Sequence, residues 1–446
     1  MASSYFARSR HIGLLVARSP TAVDSAVGET GVRETIVGLE RLGLRPRLYT
    51  LDAAAPDVRA PHGIGASGAG LMRIAGRVAL HAYRLAIAPL RYLAALGSAM
   101  VRHRAGLAEF ALAVRLASTL RRDRIVHLHA CDPASASLAE TVARLTGLRF
   151  SMSIASVTLD EADQRSVKRC LIAAQFSLMP TDTALHAAKA IAPRAAVHRA
   201  YPGVDYRHYC PKLRSRLTSV PLLLAVGEPR AHWDLAPLVD ACRMLALSGL
   251  ALRCEVVGAA RDLPRMQAHI DGCGLSDRVR LVGPLSASRL MERYSRAAIF
   301  VQVPNVAAQA SLAGIPTGLL EAMAMGLPVI ATRTPATEEC VTHASSGWLV
   351  RSGDAAQLFE AIQRLLVQPR LGESLGKQAR ETVVERFDSD VNLHTLQRLL
   401  EAASKRVAVA SNHSLVGGPT AQAAHSTAFR FATAPHRRGL HELHHA

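Results

Sequence analysis

The chain contains no uninterrupted apolar run of about eighteen residues or more, so no segment reads as a membrane span. Its polar start, Met1–Arg10, leads into an apolar stretch, Ile12–Ala17, that is too short and wrongly flanked for a secretory signal, which predicts a cytoplasmic protein. The seven cysteines are odd in number and scattered, with no C-x-x-C pair and no metal-like spacing with histidine. That pattern predicts reduced, mostly buried thiols. Aromatic residues make up only 4% of the chain, which leaves little for stacking on bases. Zinc-finger spacing, an RNA-binding aromatic signature and a lysine-rich arm are missing as well, and nucleic acid is not expected as a partner. No convincing D-x-D metal motif occurs either, since Asp388-Ser389-Asp390 lies in a helix-like region.

What is present points to a globular protein. With 446 residues, 49% hydrophobic and 20% charged, the chain exceeds what one hydrophobic core usually supports, so two domains are expected. The formal net charge of +18 attracts something anionic, whether lipid headgroups, nucleic acid or nucleotide phosphates, and does not by itself choose among them. From Leu71 to Arg124 the pattern is helical and dense in arginine. At about 100° per residue, Arg73, Arg77, Arg84 and Arg91 fall on one side of a helix that Pro89 should kink. Such a side, beside apolar Leu, Ala and Ile, fits docking on an anionic membrane surface, and fits an ordinary solvated helix face equally well.

Strand and helix patterns alternate along most of the chain. Candidate strands are His11–Ala17, Arg45–Leu51, Ile125–His129, Phe150–Ala155, Phe176–Pro180 and Ala196–Tyr201, followed by Leu222–Val226, Arg253–Val257, Val279–Leu281, Ala298–Val301, Pro328–Ala331 and Trp348–Val350. The first strand leads through Gly28 and Glu29 into a helix, Val32–Leu42, closed by Gly43, and residues 52–66 read as a loop. Two such series in tandem predict an α/β protein of two doubly wound, Rossmann-like domains facing across a cleft, with ligands at the carboxyl ends of the strands. The expected boundaries are 1–212, 213–384 with a linker near Pro211–Pro221, a last helix at 385–403, and a disordered tail at 404–446. The tail histidines His441, His444 and His445 are candidates for adventitious metal binding only.

The sharpest segment runs from Gly314-Ile315-Pro316-Thr317-Gly318-Leu319-Leu320-Glu321 through Gly326-Leu327-Pro328 to Thr332. A small-residue loop followed by a helix lets backbone N–H groups approach an anion, the helix start adds partial positive charge, and Glu321 can accept hydrogen bonds from sugar hydroxyls. The plain alternative is an ordinary helix-to-strand connection with Glu321 solvated.

This segment resembles the signature of retaining glycosyltransferase family four, E-G-x-P-x-x-L-L-E-A-M-A-x-G-x-P-V-I-A-T. The likeness continues through Ala336-Thr337-Glu338-Glu339-Cys340-Val341 and Ser346-Gly347-Trp348-Leu349-Val350. Upstream, Tyr201-Pro202-Gly203-Val204-Asp205 is similar to the family's Y-N-G-V-D, Gly28-Glu29-Thr30 to the S-E-T opening of exopolysaccharide-type members, and His127-Leu128-His129-Ala130 to their H-L-H-A. The resemblance covers residues 12 to about 400. It implies a GT-B fold and transfer of a sugar, with retention, from a nucleoside diphosphate donor to a lipid-linked or oligosaccharide acceptor. It further implies work at the inner face of a bacterial cytoplasmic membrane in exopolysaccharide or lipopolysaccharide assembly, possible contact with other glycosyltransferases, and no cofactor or metal requirement. The donor would bind at Gly28, Gly314, Ile315, Pro316, Thr317, Gly318, Leu319 and Glu321, with Arg230 and His232 as nearby cations that could substitute for the family's own, and with His129, Glu29 and Thr158 as candidate catalytic residues. His129 at a strand end reads equally as a hydrogen-bonded core histidine, and Glu29 as helix charge balance.

The chain departs from the family where charge matters. The first glutamate of the E-x7-E pair falls on Ala313, the arginine and lysine for the diphosphate fall on Glu228 and Trp233, and the H-A-H-D stretch falls on Ala155-Ser156-Val157-Thr158. One preorganised electrostatic contact is worth about 10²–10³ in rate, so two readings stand: an enzyme with a re-tuned donor site, or a degenerate GT-B protein that binds a glycan, a nucleotide or a partner glycosyltransferase.

Overall fold

The computed structural model describes residues 11–16, 30–51, 62–63, 71–101, 103–154, 156–157, 161–211, 220–227, 235–258, 263–302 and 312–413. In the N-terminal half the strands are β1 (His11–Val16), β2 (Pro46–Thr50), β3 (His62–Gly63), β4 (Ile125–Ala130), β5 (Arg149–Ser153), β6 (Ser156–Val157), β7 (Ser177–Met179) and β8 (Val197–Arg199). Its helices are α1 (Thr30–Arg41), α2 (Leu71–Ile87), α3 (Pro89–Val101), α4 (His103–Arg122), α5 (Pro133–Thr146), α6 (Glu161–Ala173) and α7 (Asp182–Ile191). Seven strands form one parallel sheet in the order β3-β2-β1-β4-β5-β7-β8. The continuous apolar run of β1 is explained by its place at the centre, where Leu14 and Leu15 are fully buried.

The C-terminal half repeats the plan with β9 (Leu222–Val226), α8 (Ala236–Leu247), β10 (Arg253–Val257), α9 (Leu263–Gly272), β11 (Val279–Val282), α10 (Ala287–Arg296), β12 (Ile299–Gln302), β13 (Leu312–Ala313), α11 (Thr317–Ala324), β14 (Val329–Thr332), α12 (Pro335–Cys340), β15 (Trp348–Val350), α13 (Ala355–Val367) and α14 (Pro369–Arg386). Six of these strands make a parallel sheet in the order β11-β10-β9-β12-β14-β15. In both sheets the order reverses beside the first strand, between β1 and β4 and between β9 and β12. A crevice for a ligand opens at such a reversal, outside the carboxyl ends of the strands.

A last helix, α15, spans Ser389–His413 and so continues past the expected end at 403. Its Leu396, Leu400 and Ala403 join Ile12, Leu14, Leu39 and Phe176 in a buried cluster, so the chain returns to the N-terminal sheet. The crossing point is tight: Val204 N donates to Phe387 O at 2.9 Å, and a Cβ on Gly203 would stand 2.4 Å from Ser389 Cα, which only glycine avoids. Both sheets lie within a compact unit, Met1–Ser404, and Lys405–Ala446 forms a second unit.

The arginine-rich stretch is three helices rather than one kinked helix. The break falls at Ala88, and Pro89 opens α3, the position where its missing N–H leaves no bond unmade. The expected cationic side does not form as read. Arg84 is only 7% exposed, and burial lowers its pKa. The cause lies one turn earlier: Leu80, at i−4 and therefore on the same face, packs against the N-terminal core. Arg91 does reach the surface, where it donates to Thr146 O at 3.0 Å. The side chains of Arg73 and Arg77 lie outside the described residues. What α2 and α3 expose instead is apolar: Tyr83, Leu85, Ile87, Leu90, Leu93 and Met100 are all exposed, Leu90 by 83%.

Candidate active site

The loop ahead of α11 leads into the helix through Pro316, whose extended backbone (φ −61°, ψ 124°) starts it with no side-chain cap. A helix start without a cap leaves its first N–H groups for another acceptor, and an anion suits that place. Ile315 and Leu319 are core side chains, so only their backbone can serve a ligand, whereas Gly314, Pro316 and Thr317 are half-buried. Gly318 is buried, and a Cβ there would stand 3.2 Å from the Tyr294 hydroxyl.

Glu321 is neither solvated nor open, being 7% exposed. Tyr294, itself fully buried, donates its hydroxyl to Glu321 Oε2 at 2.8 Å and lies 3.2 Å from Gly318 O. Tyr209 hydrogen-bonds the same carboxyl and packs edge-on against Tyr294, with ring centroids 6.1 Å apart. Burial raises the Glu321 pKa, and the two phenols oppose that shift by stabilising the carboxylate. The group is thus oriented by residues from α10 and from the 201–209 segment, neither of which the local motif discloses.

At the reversal point of the N-terminal sheet, β4 and β5 carry a buried polar chain. His127 Nε2 and Ser151 Oγ are 2.7 Å apart, His129 Nδ1 and the same hydroxyl 2.8 Å, and His129 Nε2 and Ser153 Oγ 2.9 Å. Both imidazoles stack on Phe176. Burial drives the His127 pKa down to about 3, with help from His129 and Arg149, and that of His129 to about 4. His129 is therefore neutral at physiological pH and enclosed, so it offers no positive charge to a diphosphate. Its way outward runs through Ser153, which is half-buried.

Among the described residues the halves also meet at a strand pair and at a carboxylate. The short strands β6 and β13 pair antiparallel, Leu312 with Val157 and Ala313 with Ser156. Two positions that depart from the family pattern, Val157 and Ala313, therefore belong to one ribbon, and Ala155 lies outside the described residues. Glu339 of α12 supplies the second contact: its carboxylate accepts from Asp182 N at 2.8 Å, from Thr183 N at 3.1 Å and from the Thr183 hydroxyl at 3.2 Å. A carboxylate at the start of α7 satisfies unpaired donors and meets the positive end of that helix. The family-like stretch around Glu339 announced a motif but not this role. Gly28, Glu29, Thr158, Glu228, Arg230, His232 and Trp233 lie outside the described residues.

The double Rossmann-like architecture with its joined strand ends is a GT-B fold. It is shared with sucrose-phosphate synthase of Thermosynechococcus elongatus (TM-score 0.67, 18% identity, 89% of this chain and 99% of that one). It is shared equally with HepE of Anabaena, solved in complex with UDP and glucose (TM-score 0.67, 14% identity, 88% and 100%). Residues 215–382, the segment that carries Glu321, match the model of the glycosyl transferases group 1 family. The amylovoran biosynthesis glycosyltransferase AmsK of Erwinia amylovora is 28% identical over 213 residues, 47% of this chain and 51% of the relative. WcaL of Escherichia coli, assigned to colanic acid biosynthesis, is 30% identical over 215 residues, 47% and 52%. The chain spans about half the length of the relatives it matches.

Proposed function

We propose that the chain transfers a sugar from a nucleoside diphosphate donor to a lipid-linked or glycan acceptor, with retention, in the assembly of a bacterial surface polysaccharide. The observation that carries this reading is the uncapped start of α11 followed one turn later by a buried, phenol-oriented carboxylate, Glu321, in a domain of the glycosyl transferase family. The backbone of Gly314–Gly318 would receive the diphosphate and Glu321 the donor's hydroxyls. Negative charge grows on the leaving diphosphate as the sugar carbon becomes cationic, and preorganised N–H groups stabilise it there. The departing phosphate takes the acceptor proton on the same face, which gives retention without a metal. The names of the relatives support the polysaccharide process, and the UDP and glucose held by HepE support the donor class. Turnover assays with UDP-, GDP- and ADP-sugars and lipid-linked acceptors test the reading. Transfer of labelled sugar is the expected result, and its absence with every donor counts against an enzyme.

One observation favours a second reading, that of a degenerate binding subunit: the β6–β13 ribbon gathers family positions that have lost their charged groups. Donor binding without turnover would decide for it, and capture of a partner glycosyltransferase would extend it. In either case we propose that the protein docks on the inner face of an anionic membrane. The apolar ridge of Ile87, Leu90 and Leu93, rather than a four-arginine stripe, would enter the headgroup region. No helix among the described residues is long and apolar enough to cross a membrane.

A further inference from the structure

Outside the cleft, packing assembles a group that the linear spacing of cysteine and histidine does not disclose. His269 lies on α9 and Cys273, four residues on, stands just past its end, where Cys273 N donates to His269 O at 3.0 Å and continues the turn before Gly274 (φ +69°) ends it. Neighbouring α8 brings up Asp240, whose Oδ1 lies 3.4 Å from His269 Nε2. The carboxylate oxygen, imidazole nitrogen and thiol sulfur all lie within 4.8 Å of one another. We propose that Asp240, His269 and Cys273 form a three-ligand site for a borderline-soft divalent cation of the zinc class.

The chemistry and the geometry agree. Ligands at the distances zinc takes, set on a tetrahedron, are roughly 3.3–3.8 Å apart, so closing the site needs side-chain adjustments of about 1 Å and no backbone change. One oxygen, one nitrogen and one sulfur donor select zinc or cobalt(II) over magnesium or calcium, which prefer oxygen alone. The side chains of His269 and Asp240 are 41% and 45% exposed, which leaves solvent access for a fourth ligand, water. A carboxylate and a thiolate together neutralise a divalent charge, and the carboxyl end of α9 favours a cation. On binding, the Cys273 S–H bond gives its proton to solvent and a sulfur–metal bond forms, with no change of oxidation state. The bound ion pins α9 to α8 on the C-terminal half. It shares no residue with the candidate donor site, so it stands or falls independently of the transferase reading.

Cobalt(II) titration of the full, reduced chain tests this, because a thiolate bound to cobalt gives a charge-transfer absorption that histidine-only sites, including the terminal His441, His444 and His445, cannot give. The expected result is one such band saturating at about one cobalt per chain, bleached by zinc, and abolished in Cys273→Ser. His269→Ala is expected to weaken cobalt binding at least about tenfold, the loss that follows removal of even an outer partner of a metal ligand. Should either variant misfold, zinc protection of Cys273 against alkylation in the unaltered chain, read by peptide mass, gives the same answer. No thiolate band in the unaltered chain, a band undiminished in folded Cys273→Ser, or alkylation unaffected by zinc overturns the proposal.

Discussion

The two halves hold their buried titratable groups in opposite ways. In the N-terminal half, His127 gives Nε2 to Ser151, His129 gives both ring nitrogens to Ser151 and Ser153, and burial forces both rings neutral. In the C-terminal half the carboxyls are held by hydrogen-bond donors from other segments: Glu321 is oriented by Tyr294 and Tyr209 beside an uncapped helix start, and Glu339 reaches across to α7. The difference supports the proposal that donor chemistry belongs to the C-terminal half, with the N-terminal strand ends as a neutral wall whose outward contact is the Ser153 hydroxyl.

Removing Glu321 should break this contrast most severely. Glu321→Ala deletes the oriented carboxylate and strands two phenols, and donor binding or turnover should fall by about 10²–10³, read by calorimetry or rate. Stability should drop by about 1–3 kcal/mol, because the Tyr294 hydroxyl keeps only its longer approach to Gly318 O and the buried carboxyl leaves a void. An unchanged donor affinity would refute the role assigned to it.

The histidine wall makes a prediction in pH. Both imidazoles have folded pKa values of about 3 and about 4, below the ordinary 6.5, so between those limits and 6.5 the unfolded chain binds protons that the folded chain does not. Stability must then rise with pH across that window, by up to about 1.4 kcal/mol per pH unit for each imidazole, and level off above it. In His129→Asn, urea midpoints measured at pH 5 and pH 7 should differ less than in the unaltered chain. An equal difference would mean that His129 titrates freely.

Smaller effects are expected at the contact between halves and at the surface. Glu339→Ala removes a helix-start acceptor and should cost about 0.5–2 kcal/mol, with faster amide exchange at Asp182 and Thr183. Leu90→Glu should leave stability within about 0.5 kcal/mol, since the side chain is 83% exposed, yet reduce flotation with anionic vesicles. Undiminished flotation would remove the apolar ridge as the docking surface.

Much of the fold was legible because short apolar-rich strands alternate with helical patterns along the chain; Leu222–Val226, Arg253–Val257 and Trp348–Val350 coincide with their expected bounds. Two-residue strands such as β6 and β13 have no periodicity to read, so the ribbon between the halves stayed hidden. Arg84 was misplaced because helical spacing groups residues by face without saying which face is inward, and Leu80 settles that only once the core is seen. Glu321 was found through its motif, whereas Tyr294 and Tyr209, which hold it, come from distant segments joined only by packing.

The Gly314–Glu321 turn is proposed to receive a nucleoside diphosphate sugar. Calorimetric titration of the full chain with UDP-, GDP- and ADP-sugars, repeated on Glu321→Ala, tests it most directly. The account predicts saturable one-to-one binding of one nucleotide class, lost or strongly weakened in the variant. No heat with any donor, or equal affinity in both proteins, would contradict it.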